Sequence, residues 1–342
     1  MSFKRLETDD FVISADAITG VCWSDNRVTL TSEFIHTSSI QKAATSGDFF
    51  LNISDGPDAS TSESVQFAIA YGNKNGLGSV PYNPGITSKS PSSTIYGQYR
   101  TMLNEDENTD FLFGDSSSTQ FYAISIERAR YKESLFPGSF NLVLSASGGQ
   151  LSLTDNSKDV STATFIGSNR VFQVVSGSNG SAVSGTGFSA SSGSYGWFLP
   201  DTGLILLNPY ALSSSINDGD VGDGIGLLTS NLQTSNLVNN AALYEAIRSG
   251  SSFQVNSQET LSSDFIFVRP RSSEFNYSEN PSYISGSTGE VIYNDFIDNP
   301  QTFITTVGLY NDTNDLLAVA KLSKPLVKDF TKESLIRVKL DF

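Results

Sequence analysis

Alternating apolar and polar residues indicate strands along most of the chain, and the last segment has the most regular pattern. Its apolar residues are expected to face a core while the intervening residues face solvent, as in a strand with one buried face. The apolar set is Ile336, Val338, Leu340 and Phe342, and the polar set is Arg337, Lys339 and Asp341. The chain is therefore predicted to end in a half-buried strand.

Similar patterns begin near Asp48 and are separated by segments rich in glycine, proline, asparagine and aspartate, which favour turns. The stretch from Thr305 to Pro325 predicts a hairpin, because two apolar runs flank the polar turn NDTND. The segments predicted to contain strands are DFFLNIS, ESVQFAIAYG, STQFYAISIERARY, GSFNLVLSA, GQLSLTD, ATFIGSNRVFQVVS, GWFLPDTGLILLNP (a turn, then a buried strand), DFIFVR, EFNYS, EVIYN, FITTVGLYN, LLAVAKLS and LIRVKLDF.

Two segments have helical rather than strand periodicity. PSSTIYGQYRTML begins with Pro91, which suits the first turn of a helix, and its apolar stripe is Ile95, Tyr99, Met102 and Leu103. SNLVNNAALYEAIRSG repeats apolar residues at a 3.6-residue period, and Gly250 is placed to end it.

These elements predict a mainly β protein with a few short helices, organised as two strand-rich, sandwich-like domains and an N-terminal arm. The predicted arm covers residues 1–47, and its Phe11, Val12 and Ile13 are suited to join a neighbouring sheet. The predicted domains cover residues 48–160 and 161–342. A length of 342 residues also favours two domains.

Two long segments lack periodicity and predict surface loops. Residues 73–93 are rich in glycine and proline, and residues 176–196 consist mostly of serine and glycine. Since loops of this length often have a functional role, both are expected to contact a partner or to be mobile.

Composition narrows the range of partners. The net charge is −15, from 21 basic and 36 acidic residues, which disfavours nucleic acid and anionic membranes as partners. The N-terminus lacks an apolar signal segment, and no run approaches the roughly 20 apolar residues of a membrane span. We therefore expect a protein made in the cytoplasm, and its single cysteine, Cys22, excludes an internal disulfide.

The motifs of common enzyme classes are missing from the sequence. His36 is the single histidine, and neither a G-x-S-x-G elbow nor a phosphate-binding glycine loop occurs. Paired carboxylates for glycoside hydrolysis remain open, although no particular pair is indicated. We predict a non-enzymatic protein without a cofactor.

Two clusters of charged residues are candidates for binding. Asp218, Asp220 and Asp223 in NDGDVGDG are candidates for a hard cation, and a plain polar turn is the alternative. A basic group in IERARYK shares one face if the segment is extended, so it predicts an assembly interface or else a solvated strand face. The candidate interface residues are Arg128, Arg130, Lys132, Arg337 and Lys339.

Several segments resemble virion structural proteins of contractile-tailed bacteriophages, especially marine ones. The similar segments are FKRLETDDFVISAD, FAIAYGNKNGLGS, SSTIYGQYRTML, ERARYKESLFPGSFNLVLS, EFNYSENPSY and FITTVGLYNDTNDLLAVAKLSKPLVKDFTKESLIRVKLDF. The last carries most of the resemblance, and its hairpin is similar to one in tail-collar and fibre-attachment proteins. The resemblance implies a tail, baseplate or neck component of the virion without enzyme activity.

Three functions therefore stay open at the level of sequence. The first is a structural subunit of a phage tail, in the baseplate, neck or fibre-attachment region, with copies of itself and other virion proteins as partners. The second is a carbohydrate- or receptor-binding tail tip, in which exposed aromatic residues such as Trp197 stack on a host-surface glycan. The third is a capsid decoration protein.

Overall fold

A computed structural model describes residues 3–21, 30–35, 49–55, 65–83, 85–146, 149–183, 194–214 and 238–341. Within these ranges the protein is mainly β, with four α-helices. The predicted fold class is confirmed.

The strands, numbered in chain order, are β1 (Phe11–Val21), β2 (Leu30–Ile35), β3 (Phe50–Asp55), β4 (Val65–Asn73), β5 (Phe111–Phe113), β6 (Ser116–Ser118), β7 (Gln120–Ile126), β8 (Ser134–Leu135), β9 (Asn141–Ala146), β10 (Gly149–Asp155), β11 (Thr164–Ile166), β12 (Asn169–Ser178), β13 (Ser181–Ala182), β14 (Gly196–Leu199), β15 (Leu204–Leu207), β16 (Phe253–Gln254), β17 (Asn256–Val268), β18 (Gln301–Tyr310), β19 (Leu316–Asp329) and β20 (Ile336–Asp341). The helices are α1 (Pro91–Asn104), α2 (Pro209–Ser214), α3 (Val238–Ser249) and α4 (Asp295–Asp298), with short 3-10 helices at Thr8–Asp10 and Arg128–Arg130.

The chain divides into two compact units. The smaller unit combines Met1–Ala17 with Thr260–Phe342, and the larger unit is Ile18–Glu259. The sequence-based boundaries after residues 47 and 160 both lie inside the larger unit. Strand β10 pairs with β12 across residue 160, so one sheet is continuous through that position.

An antiparallel sheet with apolar clusters on both faces forms the larger unit. Its strand order is β16-β9-β10-β12-β14-β15-β7-β4-β3-β2. One cluster includes Leu243 and Ile247 of α3, and the other includes Ile95 and Tyr96 of α1. Strands β14 and β15 are buried along their whole length. Strand β14 pairs with β15 to form one hairpin, whereas the sequence pattern of GWFLPDTGLILLNP predicted a turn followed by a single strand.

Both predicted helices of the larger unit are confirmed. Helix α1 begins after Ser90, whose hydroxyl accepts a hydrogen bond from the Ser93 N–H, and Pro91 occupies the first turn. Ile95 and Leu103 are buried as expected, while Met102 is exposed. Gly250 follows α3, and a Cβ there would lie 1.7 Å from the Val143 carbonyl oxygen, so the backbones approach too closely for any other residue.

Two layers of strands make up the smaller unit. One layer is a sheet with the order β1-β17-β20, and the other is the hairpin of β18 and β19. Ile266, Val307, Ile336 and Val338 are buried between the layers. The alternation predicted for β20 is therefore confirmed at Ile336 and Val338. Phe342 lies outside the described residues.

The predicted N-terminal arm contains two strands, because β2 is hydrogen-bonded to β3 and β1 is hydrogen-bonded to β17. This is the kind of sheet addition that the apolar residues at its start predicted.

Two predicted strands are wrong. EFNYS and EVIYN lie in the irregular stretch between β17 and β18, where Phe275 has a left-handed φ of 57°. Ile284 and Val291 form an isolated bridge there, but a bridge does not extend into a strand pair. The segments have strand-like composition without a neighbouring strand to complete the hydrogen bonds.

Residues 73–93 also differ from the exposed loop that was predicted. Its two ends are packed together, because Ser79 near the start and Ser90 and Ser92 at the end are buried and hydrogen-bonded to one another or to the loop backbone. The stretch from 85 to 89 is exposed. Of the serine- and glycine-rich run at 176–196, residues 184–193 lie outside the described ranges.

Candidate assembly surfaces

The solvent side of the hairpin of β18 and β19 carries several large apolar side chains. We define the outer hairpin face as Phe303, Tyr310, Leu317 and Val319, which are 52%, 39%, 68% and 58% exposed. The opposite side of the same strands, which includes Val307, packs on the β1-β17-β20 sheet. Because side chains alternate across a strand, a chain that needed only to complete its core would carry polar residues at the outer positions.

Aromatic contacts extend this surface toward the N-terminus. The ring of Phe3 meets that of Tyr310 edge-on at 5.1 Å between centroids. The Tyr310 ring also lies against Gly308, since a Cβ at that glycine would be 2.9 Å from it. Phe3 is itself 58% exposed, so the two rings form one apolar patch at this end of the hairpin.

The hairpin turn is held by side-chain hydrogen bonds. The side-chain carbonyl of Asn311 accepts from the backbone N–H groups of Thr313 and Asp315, and the Asp315 carboxylate accepts from the Asn311 amide and the Thr313 hydroxyl. These bonds lower the pKa of Asp315, with the Thr313 hydroxyl as the largest cause. The turn therefore fixes the relative position of the two strands that carry the outer hairpin face.

Within the described residues, strand β1 pairs with β17 on one side only and is an edge of the smaller unit's sheet. Phe11 and Val12 are about half exposed and Ile13 is 75% exposed, so apolar side chains meet solvent on both sides of the strand. An open edge also presents unpaired backbone N–H and carbonyl groups, which can pair with another strand.

The solvated face of β20 places its two basic candidates around an aromatic ring. The Arg337 guanidinium lies 5.5 Å and the Lys339 amine 5.9 Å from the centre of the Phe265 ring. Lys339 also pairs with Asp341 at 2.8 Å. The Lys339 amine, together with the Ser263 hydroxyl, holds the pKa of Asp341 below its ordinary value. The structure thus brings Arg337 and Lys339 together on one face, as predicted.

The other three basic candidates do not form the predicted strand face. Strand β7 ends at Ile126, and Arg128 and Arg130 lie in a 3-10 turn. The Arg128 guanidinium packs on the Tyr131 ring and donates to the Tyr131 carbonyl, and Arg130 donates to the Val65 carbonyl. Lys132 is exposed after the turn. A turn does not follow the two-residue period, so the argument for a shared face is wrong.

Trp197 was expected to be exposed, and this expectation is also wrong. Its side chain is 1% exposed, its indole N–H donates to the Leu112 carbonyl, and its ring packs against Phe111 and Phe113. A shallow groove of about 270 Å³ lies nearby and is lined by Gln98, Tyr99, Met102, Ser125, Thr202 and Leu204. Trp197 does not line this groove.

The remaining sequence candidates lie outside the described ranges: Cys22, His36 and the cation candidates Asp218, Asp220 and Asp223. Elsewhere, in the part of the chain that is described, no group of three or more histidine, cysteine, aspartate or glutamate side chains is placed to hold a metal ion. No helix in that part is long and apolar enough to cross a membrane.

The outer hairpin face was missed at the level of sequence, although a signal was present. In LLAVA, apolar residues occupy consecutive positions, so both faces of the strand are apolar. A half-buried strand would alternate instead.

Comparisons with known proteins gave no relative. No family model matches the chain, and neither a curated protein nor a solved structure is significantly similar to it.

Proposed function

We propose that this chain is a structural subunit of a contractile-tailed phage particle that works through protein–protein assembly rather than catalysis. The baseplate, neck and fibre-attachment region of the tail is the proposed location. The exposed outer hairpin face is the observation that carries the assembly role. The sequence resemblance to virion structural proteins supports the location.

The balance of apolar side chains in the smaller unit supports an assembly role. In its described part, the buried apolar side chains are Ile266, Tyr283, Val307, Ile336 and Val338. A larger set is exposed: Phe3, Phe11, Val12, Ile13, Tyr277, Ile292, Tyr293, Ile297, Phe303, Tyr310, Leu316, Leu317, Val319, Phe330 and Leu335. Large apolar side chains left exposed in such number favour a surface that a partner covers.

The free energy gained by covering these apolar side chains supports the same conclusion. Fully burying one large apolar side chain contributes about 1.5–3 kcal/mol. The four residues of the outer hairpin face are roughly half exposed, so covering them contributes about 3–6 kcal/mol before the cost of association. That is enough to matter in an assembly in which each subunit makes several contacts.

A sugar-binding tail tip has less support. The tryptophan expected to stack on a glycan is buried, and the shallow groove beside α1 has one aromatic residue, Tyr99, in its lining. The assembly role is therefore the function we propose.

Immunogold electron microscopy tests the location. Antibodies raised against the full chain should label the tail end of phage particles whose genome encodes it. Labelling over the head lattice would favour capsid decoration instead. Particles that carry no label would contradict a virion role.

A further inference from the structure

The sheet that contains β1, β17 and β20 has two open edges, and its fourth strand, β8, pairs with the start of β17 at Ser257 and Gln258. Strand β17 lies between β1 and β20, and among the described residues neither outer strand pairs with a further strand. Each edge can therefore accept one more strand, and natural proteins usually protect such edges with proline, lysine or a covering segment.

The edge at β1 is long, apolar and acidic. The strand has 11 residues, and none of them is proline, lysine or arginine. From Leu6 to Val21 all the charged residues are acidic, and of these Glu7, Asp9 and Asp16 are exposed. Ile13 is 75% exposed, more than Phe11, Val12 or Ile18.

The edge at β20 is basic. Arg337 and Lys339 are both exposed, while the one acidic residue of the strand, Asp341, is engaged by Lys339 and by the Ser263 hydroxyl. In the described part of the chain no carboxylate forms an ion pair with Arg337, whose guanidinium lies over the Phe265 ring. The two edges of one sheet thus carry opposite charge.

We propose that copies of this chain join edge to edge, with β1 of one copy adding to β20 of the next. Such addition completes the backbone hydrogen bonds of both edges and covers the apolar residues of β1. Pairing two β1 edges would place acidic strands side by side, and pairing two β20 edges would bring basic strands together. Opposite charges favour the mixed pairing.

This arrangement joins different surfaces of the two copies, so it continues from copy to copy and generates a ring or a filament. The inference rests on the proposed function in treating the chain as an assembly subunit, and it names a second copy as one neighbour. Because charge contributes to the interface, association should weaken with salt.

Sedimentation of the full-length chain tests the proposal. The parent should form oligomers whose size falls as salt rises from about 0.05 M to about 0.5 M, where the screening length becomes short. Asp16→Lys and Arg337→Glu should each weaken association by about tenfold, because each places like charges across the junction. Asp115→Lys and Lys89→Glu, at exposed positions of the larger unit, should have no effect.

Two combinations make the test specific. In an equal mixture of the Asp16→Lys and Arg337→Glu chains, alternation of the two chains pairs opposite charges at every junction, so the mixture should again form larger oligomers although neither chain does so alone. A chain with both substitutions restores an inverted charge pair at every junction and should again form larger oligomers. Melting temperatures should stay unchanged for all variants, which separates lost association from lost folding.

Three results would overturn the proposal: a parent that stays monomeric at every concentration and salt level, single variants that associate normally, or loss without recovery in either combination. If association fails while gold particles still label the tail, the edge-to-edge proposal is wrong and the proposed function stands. If association behaves as expected but particles carry no label, the proposed function fails instead.

Discussion

Lys328 is a fully buried cation in the hairpin of the smaller unit. Its amine donates to the carbonyls of Ser272 and Asp329 and to the side-chain oxygen of Asn276, at 2.8–2.9 Å. These three acceptors match the three N–H donors of an ammonium group. One side chain therefore connects strand β19 to the irregular segment that precedes β18.

Replacing Lys328 by methionine should destabilise the smaller unit by about 3–5 kcal/mol. The variant fills a similar volume but leaves buried acceptors without a donor. Urea unfolding, followed by hydrogen exchange of the β18 and β19 amides, measures the change. Lys324→Met, at an exposed position of the same strand, should stay within about 0.5 kcal/mol of the parent. Equal effects of the two substitutions would contradict the role assigned to Lys328.

Asp155 is a buried carboxyl group in the larger unit. Burial raises its pKa, and hydrogen bonds from Gly138 and Ser157 act in the opposite direction without reversing the shift. The Asp155 carboxyl group therefore keeps its proton to a higher pH in the folded chain than in the unfolded chain. This group favours folding at low pH, and its contribution is lost as pH rises above about 4.

Asp155→Asn should change the pH dependence of stability in a defined direction. The free energy of unfolding of the parent should fall relative to the variant as pH rises above about 4, because only the parent develops a buried charge. Denaturant unfolding at several pH values measures this difference, with Asp115→Asn as an exposed control. A difference that stays constant with pH would contradict the assigned pKa direction.

At the scale of elements, the Lys74–Ser90 loop shows how a segment without periodicity can still be ordered. The hydroxyl of Ser90 donates to the Gly76 carbonyl at 2.8 Å and also caps α1. The hydroxyls of Ser90 and Ser92 are hydrogen-bonded to each other, and the Ser92 N–H donates to the Ser79 hydroxyl, so the loop is connected to the start of the helix. Order here comes from side-chain to backbone bonds rather than from apolar alternation, so the hydrophobic pattern could not predict it.

Ser90→Ala should cost about 1 kcal/mol, the typical value for loss of a helix cap. It should also speed tryptic cleavage after Lys89, which is exposed and immediately precedes the cap. The cleavage rate of the native chain measures this, and Ser88→Ala at an exposed position is the control. If both variants are cut at the parent's rate, Ser90 does not hold the loop.

The hairpin offers a matched pair of valines on opposite faces. Val319→Thr on the outer hairpin face should leave stability within about 0.5 kcal/mol but reduce incorporation into particles. Val307→Thr, which buries a hydroxyl in the core, should cost about 1–3 kcal/mol. Melting temperature and the amount of chain in purified particles measure the two effects. Normal incorporation of the Val319→Thr chain would contradict the docking role of this face.

For the molecule as a whole, the local sequence pattern predicted the individual helices and strands better than it predicted how they are arranged in the fold. Helices α1 and α3 and strand β20 were found because apolar spacing, a proline and a glycine mark them within a few residues. The burial of Trp197 depends on Phe111 and Phe113, more than eighty residues earlier, and no local pattern contains that contact. The division into units follows from the pairing of β10 with β12 and of β1 with β17, which is equally long-range.

The candidate site was predicted in part for the same reason. The alternating pattern of β20 correctly placed Arg337 and Lys339 on the solvent face of that strand. The basic stretch at residues 128–132 was predicted to continue a strand, but that strand ends at Ile126. The outer hairpin face could be recognised only once the inner face of the same strands was seen to be covered.

Hydroxyl-radical footprinting of the chain, free and in assembled particles, tests the assembly surface most directly. Oxidation of Phe303, Tyr310 and Leu317 should fall severalfold on assembly, since a partner covers the outer hairpin face. Phe165, which is 63% exposed in the larger unit, is the internal reference and should react equally in both states. Equal oxidation of the outer hairpin face in the free chain and in particles would contradict the account.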